Sequence, residues 1–180
     1  MDIQTIKTDI DISKIWKEVS TSVLTDDSID QICIQGYDID MDPYFGSREL
    51  KNMKGYTEWD FCVDLFPKLE YTNEIIEELG MYRTRIMRMM PKSCLSYHKD
   101  PTKRVHIPLI TNTSAFFLID KLAYHLTDDG SAYLVDTTKM HTAINASFVN
   151  RTHLVGVVDE KVDYLETPID YAIPCAPRHI

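Results

Sequence analysis

The chain has 180 residues, 44% hydrophobic and 26% charged, the composition of one ordinary globular domain long enough to bury a core. Its 28 acidic and 19 basic residues leave a formal net charge of -9, with a pI near 5.0, which argues against charge-driven binding to nucleic acid or to an anionic membrane. Cys33, Cys62, Cys94 and Cys175 form no C-x-x-C pair, no apolar run approaches a membrane span, and the N-terminus has no signal-peptide core. The expected setting is the cytoplasm.

In chain order, residues 11–24 place Ile12, Ile15, Trp16 and Val19 on one helical face, with Asp11 or Ser13 as the N-cap. Residues 31–35 read as a short strand ended by Gly36. The stretch 37–55 is rich in Asp, Pro and Gly and reads as a long loop, a candidate substrate lid carrying Tyr44, Phe45 and Arg48. Residues 71–79 predict a helix that stops at Gly80. From there β-type runs follow at 82–90, 93–98, 104–111, 114–119, 122–127, 131–135, 141–148 and 151–158, separated by turn signals such as Asp128-Asp129-Gly130. No helices alternate with them, so a parallel sheet is not expected. The expected fold is mainly β: a double-stranded β-helix (jelly roll, cupin-like) over 81–160, an N-terminal helical and loop cover over 1–80 packed outside it, and a C-terminal extension over 161–180.

Arg83, Arg85 and Arg88 form a local basic cluster on the first of these runs. It can receive an anionic group or stand as a solvated strand face, and the solvated face is the simpler expectation.

Tyr97-His98-Lys99-Asp100 is the most informative fragment. In extended chain, residues i and i+2 point to one side, so His98 and Asp100 can reach one metal ion together. Two histidines and one carboxylate on one face leave adjacent positions open, the pattern of non-haem iron(II) oxygenases. His106, His125, His141 and His153 are the downstream histidines that could complete it. His141 begins a late strand, and Arg151 follows ten residues on, an even separation compatible with a shared inward face. A guanidinium presents a planar fork suited to a carboxylate. His153, two residues beyond Arg151, is expected to line the pocket.

These residues resemble the aspartyl/asparaginyl β-hydroxylase family of 2-oxoglutarate oxygenases. The likeness covers about residues 82–158 and rests on RIMRMMPKSCLSYHKD (85–100), RVHIPLIT (104–111), DGSAYLVD (129–136) and HTAINASFVNRTHLV (141–155). It implies His98, Asp100 and His141 as ligands to Fe(2+), with Arg151 on the distal carboxylate of 2-oxoglutarate. It also implies Arg104 and His106 near the metal-proximal carboxylate. O2 would be the third reactant, and an amino acid, a peptide residue or a small metabolite would be hydroxylated. Histidine binds a metal only when neutral, so activity is expected to fall below roughly pH 6. The alternative reading is a non-oxygenase cupin, an isomerase, lyase or ligand-binding jelly roll, which would have no use for Arg151.

Overall fold

Residues 81–160 contain eight consecutive strands, and every strand pairing among the described residues is antiparallel. The computed structural model describes residues 1–24, 26, 29–47, 50, 53 and 55–159, with the backbone of 167–168 and 172–174. Its elements are β1 (Ile3–Lys7), α1 (Ile12–Ser22), β2 (Gln31–Cys33), β3 (Gln35–Gly36), a 3-10 turn (Glu58–Asp60), β4 (Val63–Asp64), α2 (Glu70–Glu78), β5 (Met81–Met89), β6 (Ser93–Cys94), β7 (Arg104–Ile110), β8 (Ala115–Ile119), β9 (Leu122–Tyr124), β10 (Ala132–Val135), β11 (His141–Asn145), β12 (Arg151–Val158), β13 (Thr167–Pro168) and β14 (Ala172–Pro174).

A seven-stranded sheet runs β13-β1-β10-β7-β12-β5-β2, and a five-stranded sheet runs β14-β9-β8-β11-β6. From β5 to β12 the chain passes from one sheet to the other at every step except the β8–β9 hairpin. That alternation builds an antiparallel jelly-roll sandwich, as the spacing of the runs predicts.

The N-terminal third does more than cover this sandwich. β1 pairs with β10 and β2 pairs with β5, so the first 80 residues add strands to the large sheet. β1 escapes a sequence reading for a physical reason. Ile3 and Ile6 stand three apart, a helical spacing, whereas in an extended strand that odd separation sends them to opposite faces, and both faces are buried.

α1 and α2 pack on the outer face of the large sheet. Ile15, Val19, Ile75 and Ile76 meet Ile32, Ile86, Val105, Ile107 and Leu154 in one apolar layer. Each such buried side chain contributes about 1.5–3 kcal/mol. Asp11 caps α1, its carboxylate accepting from the Lys14 N–H at 3.1 Å. α2 has no side-chain cap of its own, and Glu18 of α1 takes that role by accepting from the N–H groups of Tyr71 (3.0 Å) and Thr72 (2.9 Å). Gly80 ends α2 at φ +58°, as its position predicts. Gly130 has φ +89°, and a Cβ there would sit 2.8 Å from the Ile10 carbonyl oxygen, so this turn must come close to the chain entering α1.

Candidate metal centre and its cavity

His98 and His141 face each other across the five-stranded sheet's end. Each backbone N–H donates to the other's carbonyl, at 3.0 and 2.9 Å, and their rings lie 4.4 Å apart. Asp100 follows on the same edge, its N–H donating to the Thr137 carbonyl at 2.9 Å. Ligand atoms of His98, Asp100 and His141 fall within 4.8 Å of one another, the one such His/Cys/Asp/Glu group among the described residues. The expected i, i+2 geometry and the distant third histidine are therefore brought together. His125 is held elsewhere, donating from Nδ1 to the Ala115 carbonyl.

Backbone carbonyls orient both imidazoles. His98 Nδ1–H donates to Ser96 O at 2.6 Å and His141 Nδ1–H to Lys139 O at 3.0 Å. A carbonyl can only accept, so in each neutral ring the lone pair is left on Nε2. This outer support fixes tautomer and ring direction, as second-layer partners of metal-binding histidines do. Burial, together with the neighbouring His98, holds the His141 imidazole below its ordinary 6.5 and so in the neutral form a metal needs, although its bond to Lys139 works the other way. The donor set fits a divalent iron, with two imidazoles and one carboxylate on one side and open space on the other.

That space is a cavity of about 850 Å³ between the two sheets. β5, β7 and β12 turn alternate side chains toward it. A cross-sheet row of paired residues runs Cys33, Arg85, Val155, His106 and Tyr133. Arg83, Arg85 and Arg88 are not a solvated face: they are 5%, 8% and 7% exposed and all line the cavity. The sequence pattern alone could not reveal this, because a strand of alternating cations looks the same whether water or a ligand lies beyond it.

Arg151 is 4% exposed at the cavity wall. Its guanidinium donates to Met89 Sδ (3.2 Å) and His153 Nδ1 (3.0 Å) and lies 4.9 Å from the Phe117 ring centre. No carboxylate pairs with it among the described residues, and burial pushes it down to about 9, still cationic at neutral pH. His153 does not line the cavity, contrary to expectation. It stands behind Arg151, fully buried, and accepts from it. His106 does line the cavity, 4.9 Å from the Phe117 ring, with Nδ1 buried and unpartnered. A buried guanidinium without a carboxylate partner and an imidazole nitrogen without one, both among the described residues, fit a carboxylate-bearing ligand.

Arg104, which the resemblance assigns to the co-substrate, is engaged by protein. Its fork meets Glu58 at 2.7 and 3.1 Å, its Nη1 also contacts Thr102, and its Nε lies 3.4 Å from Asp100 Oδ2. Burial pushes the Glu58 carboxyl up, but the hydrogen bonds and charge of Arg104, with Thr102 and Arg83, outweigh it and hold it low. Sequence reasoning passed over Glu58. Its only local mark is the Thr57–Asp60 capping box around it, which signals a turn and nothing of Arg104. In the 37–55 loop, Ser47 and Leu50 line the cavity while Tyr44 and Phe45 are exposed, and Arg48 lies outside the described residues.

No helix among the described residues is long and apolar enough to cross a membrane. No curated protein matches the chain. The family model of aspartyl/asparaginyl beta-hydroxylase matches residues 58–160, a span that opens at Glu58 and holds all three facing donor residues and Arg151. The chain belongs to the aspartyl/asparaginyl β-hydroxylase family.

Proposed function

We propose that this hydroxylase-family protein is an iron(II)- and 2-oxoglutarate-dependent dioxygenase acting on an unactivated C–H bond of an amino acid, a peptide residue or a small metabolite. One observation carries the reading: Arg151, a buried guanidinium that meets no carboxylate among the described residues, stands in the same cavity as a His/Asp/His donor face. A non-oxygenase cupin would have no reason to bury that charge unpaired.

Iron(II) with 2-oxoglutarate and dioxygen supplies the oxidising chemistry. The chain's own residues hold and orient. His98, Asp100 and His141 are the ligands, and the Ser96 and Lys139 carbonyls keep the two Nε2 atoms aimed at the ion. Arg104, clamped by Glu58, steadies the Asp100 carboxylate through its Nε. Arg151 receives the far carboxylate of 2-oxoglutarate, and His153 behind it fixes the fork. Met89 and Phe117 make that end apolar and exclude water, which strengthens the ion pair formed there.

Substrate-dependent succinate release across pooled amino acids and peptides tests the reading. His98→Ala, Asp100→Ala and His141→Ala are each expected to abolish turnover with an unchanged far-UV spectrum. Arg151→Ala is expected to raise the 2-oxoglutarate requirement by about 10–100-fold, the worth of a charge-assisted bidentate contact. Full activity in the Asp100 variant would remove it from the ligand set, and an unchanged requirement in the Arg151 variant would remove the co-substrate site.

A further inference from the structure

We infer that Asp2, where the chain enters β1, is a positioning residue of the metal centre: it holds the 136–140 turn whose carbonyls align Asp100 and His141. That role rests on the metal-ligand reading proposed above. Asp2 lies outside residues 58–160, the span of the family match, so the family likeness assigns it no part.

Residues 136–140 cross from β10 in the large sheet to β11 in the small one. The turn presents two backbone carbonyls to the donor residues. Thr137 O accepts from the Asp100 N–H at 2.9 Å, and Lys139 O accepts from His141 Nδ1–H at 3.0 Å. A displacement of the turn therefore moves a carboxylate and an imidazole together. Turn backbone lies outside the strand ladders, so its place is set by what grips it.

Asp2 grips it at both ends. Its carbonyl accepts from the Asp136 N–H at 2.8 Å, and its Oδ1 accepts from Lys139 Nζ at 2.6 Å. Its Oδ2 accepts from the Tyr124 hydroxyl at 2.6 Å, and Tyr124 stands on β9 of the small sheet. Asp2 is itself delivered by buried pairing, since the next residue, Ile3, lies opposite Val135 of β10 and is 2% exposed. One residue thus ties the large sheet, the small sheet and the turn between them. Thr137 Oγ1 also donates to the Thr102 carbonyl at 2.7 Å, but Thr102 follows Asp100 in the same loop and refers the turn to neither sheet. The Lys139 side chain is 38% exposed, and an ion pair so open to water contributes little to global stability. Its loss should be read in the geometry of the donors.

Cobalt(II) affinity of the full chain, measured by competition with a chelator, tests this together with the visible ligand-field spectrum of the cobalt-loaded protein. Asp2→Ala is expected to weaken cobalt binding about three- to tenfold and to shift that spectrum, the lower end of what outer partners of metal ligands contribute. Asp2→Asn keeps an acceptor for Lys139 and should recover part of the loss. Lys139→Met removes the same ion pair from the turn's side, and the double variant should lose little more than Asp2→Ala alone. Asp11→Ala, which uncaps α1 far from the site, is the control for a loss of stability and should leave cobalt affinity unmoved. An Asp2→Ala affinity equal to the parent's, or a loss no larger than that of Asp11→Ala, would overturn the inference. Nitrogen NMR of the His141 imidazole without metal separates Asp2 from the metal reading. The parent ring is expected in its Nδ1–H form, with the Nε2–H form appearing in Asp2→Ala. If His141→Ala leaves cobalt affinity unchanged, the metal reading falls, and the tautomer shift alone decides for or against Asp2. Should Asp2→Ala not fold, Lys139→Met carries the test, and unchanged cobalt affinity there is equally fatal.

Discussion

On β7, Val105, Ile107 and Leu109 face the helices, while Arg104 and His106 face the smaller sheet and its cavity. On β12, Leu154 joins the helix-side layer, while Arg151 and Val155 line the cavity and His153 supports Arg151. β5 does the same with Ile86 on one side and Arg85, Met87 and Met89 on the other. Three neighbouring strands thus carry a dry apolar layer on one face and a cluster of cations and imidazoles on the other. The period of two in a strand makes this possible: alternate residues of one rigid ladder can anchor the fold and shape the site independently. The apolar layer gives the stability that a face of buried charges costs.

Substitutions on the two faces should therefore separate folding from site chemistry. The largest expected effect is on the cavity face. Glu58→Gln leaves the Arg104 fork against an amide, and breaking a buried pair costs about 3–5 kcal/mol. Metal affinity should fall with it, because Arg104 also steadies Asp100. Urea unfolding and a competitive chelator titration read the two losses, and unchanged metal affinity would detach Glu58 from the site. On the helix side, Leu154→Ala should cost about 2–5 kcal/mol while leaving metal and 2-oxoglutarate affinity alone. A comparable loss of metal affinity there would break the division between faces.

A smaller effect is expected from acid. Burial first, then the charge of Arg151, holds the His106 and His153 imidazoles well below 6.5, so both stay neutral in the fold. The unfolded chain takes up those protons near 6.5 and the folded chain refuses them. Stability should then fall as pH drops below about 6.5, by about 1.4 kcal/mol per pH unit for each ring. Urea midpoints at successive pH values check this, and a flat profile would mean the rings are not buried neutral. The smallest change is remote from the cavity: Asp11→Ala removes the cap of α1 and should cost about 1 kcal/mol in thermal unfolding with kcat/KM unmoved.

Much of this organisation is legible in the sequence. The even spacing of short β-type runs after Gly80 marks the sandwich, because strand length and turn chemistry are local properties. The His98–Asp100 pair is legible for the same reason, since two residues apart on one strand means one side. His141 and Arg151 stand out by their place late in the domain and their even ten-residue separation, and the family resemblance points to the same two residues. β1 is hidden by the helix-like spacing of Ile3 and Ile6, and the even separation that predicts His153 at the wall does not show that it stands behind Arg151.

Sequence alone thus determined the β architecture, a helix start at Asp11 or Ser13, the helix end at Gly80, and the H-x-D pair, all set by neighbours a few residues apart. Only the tertiary structure decided which charges are spent and which are spare. Glu58 reaches Arg104 across 46 residues and Gln31 reaches Arg85 across 54, while Arg151 meets no carboxylate at all among the described residues. A guanidinium's partner is chosen by which strands lie side by side and which face is closed to water, and no local pattern encodes that.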